Sequence, residues 1–154
     1  MVKRCLFLAA LFLTGVSGLD AQSKKLGLGI IVGAPTGFSI KYWNSSGDAL
    51  QGYVGGGFGG IAFGADYVFN TNAFNDRNIP FYYGPGAFIG PAIYGGPRYD
   101  RNRGLGLGFR FIFGADYVFP DHPFDIAFEI GPALVLSPVV GVGLEGGIAF
   151  RFYP

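Results

Sequence analysis

The sequence predicts an all-β fold, an eight-stranded antiparallel up-and-down transmembrane β-barrel, and three observations carry this prediction. Residues 105–119 alternate without a slip, with an apolar or aromatic residue at every odd position and the charges of Arg110 and Asp116 at even ones. A period of two is typical of a β-strand with one apolar face. The run is longer than most soluble strands, of about 5–6 residues, and long enough for a tilted membrane strand, which needs about 9–11. Seven further alternating stretches make eight, the smallest even number usual in outer-membrane barrels.

The N-terminus has the pattern of a cleaved signal peptide, residues 1–21. Lys3 and Arg4 precede an apolar stretch that ends at Val16, and small residues follow it. This order is typical of a secretory signal, and the stretch is too short for a membrane helix of about 20 residues. Cleavage after Ala21 leaves one domain, residues 22–154; cleavage after residue 18 is the alternative.

Composition excludes several function classes. The only cysteine, Cys5, lies in the signal peptide, so the mature chain has no disulfide, thiolate metal site or cysteine nucleophile. Eleven basic and ten acidic residues nearly balance, with no basic stripe for nucleic acid. Twenty-eight glycines and 18% aromatic residues suit a tightly curved barrel. We expect no cofactor and no metal.

The first four strands are predicted at residues 26–32, 36–43, 50–56 and 61–69. Their alternation places apolar side chains on one face and residues such as Lys41 and Asp66 on the other. Turn residues separate the strands, and residues 44–48, Asn-Ser-Ser-Gly-Asp, are the strongest turn signal.

The last four strands are predicted at residues 81–89, 105–119, 124–136 and 140–153. Pro85 cannot donate a backbone hydrogen bond, so a bulge or a broken ladder is expected there. Between the fifth and sixth strands lies the longest polar insertion of the sequence, which starts at Gly90 and ends at Gly104.

A six-residue sequence, Gly-Ala-Asp-Tyr-Val-Phe, occurs at residues 64–69 and again at residues 114–119. Each copy leads to a turn and then to a strand that carries Gly-Pro, which indicates a duplicated hairpin. The repeat predicts that Asp66 and Asp116 share a face. Aromatic residues near strand ends match girdles at the membrane interfaces; they are Tyr42, Trp43, Tyr67, Phe69, Tyr117, Phe119, Phe152 and Tyr153.

Eight charged residues are predicted to face the lumen: Lys41, Asp66, Arg110, Asp116, Asp125, Glu129, Glu145 and Arg151. An eight-stranded barrel has an interior that side chains just fill, and buried charges there must pair. We therefore expect an ion-pair network that plugs the lumen. A proton or ion path and a ligand site at the barrel mouth remain alternatives. No enzymatic activity is expected, because paired carboxylates show no cleft and the one histidine, His122, lies in a turn between prolines.

The longest insertion is the best candidate for an outer contact. It carries Tyr94, Arg98, Tyr99, Arg101 and Arg103. If both chain ends are periplasmic, this connection is extracellular, and it could contact lipopolysaccharide phosphates, an acidic host ligand or a partner protein. A merely solvated loop is the alternative.

The C-terminal strand resembles the β-signal of bacterial outer-membrane proteins, with Glu145, Gly147, Phe150 and Phe152 at the characteristic positions. The resemblance implies recognition by the barrel-assembly machinery. The mature chain also resembles the small OmpA-like and uncharacterised outer-membrane β-barrel families, through residues 35–43, 65–69 and 81–86. Those families imply a closed barrel with a packed lumen and supply no catalytic residues.

These observations predict a monomeric barrel in the outer membrane, surrounded by lipid, with a structural or interaction role. Three rivals remain at this stage. A narrow small-solute pore would need an open lumen, and a lipid-acting membrane enzyme would need His122. A soluble lipocalin-like barrel would invert the faces and enclose a ligand among the apolar side chains.

Overall fold

In the computed structural model the described part of the chain is residues 25–57, 60–76, 78–91, 105–137 and 140–154. The predicted signal peptide lies outside it, as do Tyr94, Arg98, Tyr99, Arg101 and Arg103. The eight strands are β1 (Leu26–Ala34), β2 (Thr36–Trp43), β3 (Ala49–Gly57), β4 (Gly60–Thr71), β5 (Phe81–Pro91), β6 (Leu105–Val118), β7 (Phe124–Ser137) and β8 (Gly141–Phe152). The predicted strand bounds differ from these by two residues at most.

Each strand pairs antiparallel with the next, and β1 also pairs with β8, so the sheet closes into a barrel. The closing seam runs from Leu28 opposite Phe152 to Ala34 opposite Gly146. The predicted fold, an antiparallel up-and-down barrel of eight strands, is confirmed. No helix in the described ranges is long and apolar enough to cross a membrane.

Alternation along the strands separates two faces. On β7 the outward side chain of Phe128 is 56% exposed, whereas the inward Asp125 is fully buried. On β6, exposed and buried residues alternate from Leu105 to Gly114. The apolar set therefore covers the outside and the charges lie within. The inverted arrangement that a lipocalin-like lumen requires is wrong for this chain.

Both Gly-Pro dipeptides interrupt the ladder with the preceding strand. Between β4 and β5, pairing stops after Asp66 opposite Gly86 and resumes in the same register at Phe69 opposite Tyr83. Because the register is unchanged, Pro85 causes a broken ladder, and the bulge offered as the other possibility is absent there. Between β6 and β7 the same break occurs beside Pro132.

The barrel has two ends, which we name by their connections. The termini end holds the first residue of β1 and the last of β8, and the distal end holds the β1–β2 connection through a cis Ala34–Pro35 peptide. The exposed tyrosines of the described strands are all nearer the termini end; they are Tyr42, Tyr67, Tyr83 and Tyr117. Tyr42, Tyr67 and Tyr117, three of the residues predicted for interface girdles, thus lie in an exposed band at one end of the barrel. Trp43 and Tyr153 do not join it, because they point inward.

Candidate functional site

The interior of the barrel is the candidate site, because the eight predicted lumen charges meet there. Seven of them are at most 7% exposed as whole residues, and the Glu145 side chain is 11% exposed. Each occupies one of the inward-facing positions of its strand. They form two clusters: the Arg110 cluster, with Asp66 and Glu145, and the Arg151 cluster, with Lys41, Asp116, Asp125 and Glu129.

In the Arg110 cluster, one guanidinium binds two carboxylates. Nε of Arg110 donates to Oδ1 of Asp66 at 2.6 Å, and Nη2 donates to Oδ2 at 2.5 Å, so this contact is bidentate. Nη1 donates to Oε2 of Glu145 at 3.1 Å. Gln51 adds a donor to Asp66, at 3.3 Å. Bidentate charged hydrogen bonds fix geometry as well as energy, so Arg110 ties β4 and β8 to β6.

In the Arg151 cluster, the guanidinium lies among three carboxylates. Nη2 of Arg151 donates to Oε1 of Glu129 at 2.8 Å. Nη1 lies 3.5 Å from Oδ1 of Asp116 and 3.7 Å from Oδ1 of Asp125. Nε donates to the Ser39 hydroxyl at 2.9 Å, which connects the cluster to β2. These contacts join four strands across the lumen.

The repeated six-residue sequence corresponds to a repeated structural unit. In each copy the glycine faces a tyrosine of a neighbouring strand: Tyr53 is opposite Gly64, and Tyr82 is opposite Gly114. A Cβ built on Gly64 would be 2.1 Å from the Tyr53 ring, and one on Gly114 would be 2.3 Å from the Tyr82 ring. The glycines therefore leave the space in which the rings lie.

A cation completes each unit. The Arg110 guanidinium lies 4.4 Å from the Tyr53 ring centre, and Nζ of Lys41 lies 4.1 Å from that of Tyr82. Each cation also contacts the aspartate of the same unit, since Arg110 binds Asp66 and Lys41 binds Asp116. Cation–π attraction is stronger when the groups are desolvated, so the rings help to hold the charges in the interior.

Trp43 and Tyr153 pack against the Arg151 cluster at the termini end. Nε1 of Trp43 donates to the Tyr153 hydroxyl at 3.1 Å, and that hydroxyl donates to Oδ2 of Asp125 at 2.5 Å. Burial raises the pKa of the Tyr153 hydroxyl. It therefore remains a donor far above neutral pH.

Described residues line two spaces in or beside the barrel wall. A cavity of about 10 Å³ lies beside Arg110, and its lining includes Ile31, Glu129 and Glu145. That volume holds about one water molecule, too little for an organic substrate. A larger groove, of about 410 Å³, has an apolar lining that includes Pro85, Phe109, Phe111, Pro132 and Leu134.

Other predicted site residues lie apart from these clusters. His122 is exposed in the β6–β7 turn. Of the predicted β-signal on β8, Glu145 faces inward, whereas Phe150 and Phe152 are exposed and both contact the Phe124 ring. Among the described residues, no group of three or more His, Cys, Asp or Glu side chains is placed to hold a metal ion.

Several interior residues were missing from the predicted site: Trp43, Gln51, Tyr53, Tyr82 and Tyr153. Most of them occupy inward-facing positions of the alternating strands, as the predicted charges do. The alternation could therefore have identified them. Gln51, Tyr82 and Tyr153 each donate a hydrogen bond to a carboxylate of the clusters, which a list of charged residues alone does not reveal.

Residues 19–153 match the family described as "Protein of unknown function (DUF3996)". The chain belongs to the DUF3996 family. The match covers every strand, from β1 to β8, and thus both clusters. Searches of curated proteins and of solved structures give no match. What is shown of this DUF3996 protein is therefore the family, the barrel and its charged interior.

The Tyr82 hydroxyl should contribute measurably to stability. It donates to Oε1 of Glu129 at 2.7 Å in a buried position. Tyr82→Phe removes this charged hydrogen bond, so we expect a loss of about 1.5–3 kcal/mol in the free energy of unfolding. Urea unfolding of the refolded protein in detergent would measure it.

Tyr83→Phe is the matched control, because this neighbouring tyrosine is exposed on the outer face. It should change the free energy of unfolding by less than about 0.5 kcal/mol. Equal effects of the two substitutions would contradict the importance of the Tyr82–Glu129 hydrogen bond.

Proposed function

We propose that this protein is an integral β-barrel of a bacterial outer membrane, with a lumen plugged by charge pairs. The observation that carries the proposal is the distribution of side chains around the closed sheet. Large apolar side chains are exposed on all eight strands, while the strand charges face the interior. Membrane barrels have this arrangement, with an apolar band outside and a polar interior.

Closure of the sheet supports a membrane location as much as the apolar surface does. In lipid each backbone N–H and C=O must find a partner within the protein, and a closed barrel provides one. In water, contiguous apolar patches of more than a few hundred Å² are rare on monomers and usually mark a contact surface. A lipid bilayer can cover an apolar surface that extends around the whole barrel.

Export and assembly follow from the sequence in this proposal. Residues 1–21 act as the signal peptide, and the barrel-assembly machinery recognises β8 through Glu145, Gly147, Phe150 and Phe152. The inserted barrel is a monomer, because closure leaves no strand of the sheet in need of a partner copy.

The role is structural or interactive, and contacts are made through the connections at the distal end. With both termini in the periplasm, this end faces outside the cell. Tyr94, Arg98, Tyr99, Arg101 and Arg103 then offer hydrogen-bond donors, positive charge and aromatic surface to lipopolysaccharide phosphates, an acidic ligand or a partner protein.

Conduction and catalysis have less support. The Arg110 and Arg151 clusters occupy the interior, which disfavours a small-solute pore, and we expect no single-channel conductance in planar bilayers. His122 is exposed in the β6–β7 turn, an unfavourable place for a catalytic base.

Heat-modifiability combined with cell fractionation tests the proposal. The mature chain, refolded in detergent, should migrate faster on a gel before boiling than after it, and the cellular protein should fractionate with the outer membrane. A soluble periplasmic protein without a mobility shift would refute the proposal.

A charge at mid-height on the outer face should be costly if that face meets lipid. Ile130 is exposed near the middle of β7. Ile130→Arg is expected to lower the free energy of unfolding in lipid vesicles by about 2–4 kcal/mol, the cost of arginine at a bilayer midplane.

Leu105→Arg, at the distal end of β6, is the matched control, with an expected cost of about 0–1 kcal/mol near an interface. An Ile130→Arg protein that folds as well as the control, or gains solubility in water without detergent, would count against a lipid-facing surface.

A further inference from the structure

The Arg151 cluster contains unequal numbers of opposite charges. Lys41 and Arg151 are its cations, and Asp116, Asp125 and Glu129 are its carboxylates. All five residues are at most 3% exposed. An uncompensated charge is very costly in such surroundings, and a buried group usually neutralises instead. One negative charge in this cluster therefore needs a counterion.

The contacts identify Asp125 as the carboxylate with the weakest compensation. Glu129 accepts from Arg151 at 2.8 Å and from Tyr82 at 2.7 Å. Asp116 contacts Lys41 directly and Arg151 as well.

For Asp125, the closest arginine nitrogen is 3.7 Å away. Its one hydrogen bond within the described chain comes from a neutral donor, Tyr153, and its Oδ1 accepts none. Two other charges act on Asp125: Asp116 of the neighbouring strand β6, which repels it, and Lys41 of β2, across the lumen, which attracts it.

We propose that a proton is the missing counterion and that Asp125 is a neutral carboxylic acid in the folded barrel at neutral pH. The Arg151 cluster then holds two positive and two negative charges. This proton-binding site lies beneath Trp43 and Tyr153 at the termini end. Asp125 is fully buried there, and the Tyr153 hydroxyl donates to its Oδ2.

The proposal makes stability depend on pH with a defined sign. An unfolded aspartate loses its proton at a pH of about 4. Around neutral pH the folded chain therefore binds one more proton than the unfolded chain at this position. Stability falls as pH rises, and this single proton makes the unfolding equilibrium constant rise about tenfold per pH unit.

The experiment compares the refolded wild-type chain with Asp125→Asn, whose amide is isosteric with the neutral acid. Unfolding by urea is measured at several pH values between 5 and 8, in buffers of constant ionic strength. We expect the pH slope of the wild type to exceed that of Asp125→Asn by one proton, a tenfold difference in equilibrium constant per pH unit. Asp121→Asn, the same change in an exposed turn, should keep the wild-type slope.

Infrared spectroscopy gives a second readout that does not depend on stability. The wild type at neutral pH should show the carbonyl stretch of a protonated carboxyl group, and Asp125→Asn should lose it. Equal slopes in wild type and Asp125→Asn, or a band that persists in the variant, would overturn the proposal. So would wild-type stability that changes when sodium or potassium replaces choline at fixed pH and ionic strength, because a metal cation would then be the counterion.

Discussion

Replacing Arg151 with glutamine is expected to cause the largest loss of stability of any single change in the lumen. Arg151 contacts Ser39, Asp116, Asp125 and Glu129, and its side chain is 1% exposed. Removing one partner of a buried ion pair leaves its carboxylates uncompensated, which costs about 3–5 kcal/mol. The free energy of unfolding should fall by this amount in urea titrations of the refolded protein.

A double substitution separates charge from packing. Adding Glu129→Gln to Arg151→Gln removes a carboxylate that the arginine compensated, so part of the lost stability should return. Lys25→Gln, which removes a cation from an exposed contact with Ser45, should change little. Additive losses in the double variant would show that packing, and not uncompensated charge, accounts for the effect.

Gly29→Ala should disrupt the seam between β1 and β8. A Cβ at this position would be 1.8 Å from the carbonyl oxygen of Phe150 and 2.7 Å from Cα of Arg151. Both are backbone atoms, so the strands must separate before an alanine fits. We expect a loss of about 3 kcal/mol, at the upper end of the range for overpacking, and a reduced heat-resistant fraction on gels.

Gly141→Ala, at the first residue of β8, provides the matched control. A Cβ there would meet nothing within 4 Å. The substitution should therefore shift the free energy of unfolding by less than about 0.5 kcal/mol. Equal losses for the two alanines would contradict the close approach of β1 and β8 as the cause.

The strands and the inward parity of the charges could be predicted from the sequence because alternation is local. In β6, apolar odd positions and charged even ones define both faces without knowledge of any partner strand. The inward-facing positions of the charged residues, together with the narrow bore of an eight-stranded barrel, are enough to predict that charges pair in the lumen.

The specific pairs could not be predicted, because they depend on register around the whole barrel. Lys41 contacts Asp116, 75 positions later in the chain. The preference of aromatic residues at strand ends for membrane interfaces predicts an outer girdle position for Trp43 and Tyr153. Both have the inward parity of Lys41 and Arg151, but the hydrogen bond between them joins residues 110 positions apart, which only closure of the barrel brings together.

Closure between β1 and β8 has a consequence for how the barrel forms. The seam pairs Leu28 with Phe152, residues from opposite ends of the barrel sequence. Contacts of such long sequence separation are slow to form, because the intervening chain must first be ordered. Until β8 joins, both β1 and β7 present open edges that can recruit other chains. The exposure of these edges therefore ends only when β8 pairs with β1. Slow formation of this seam should be the main route to misassembly.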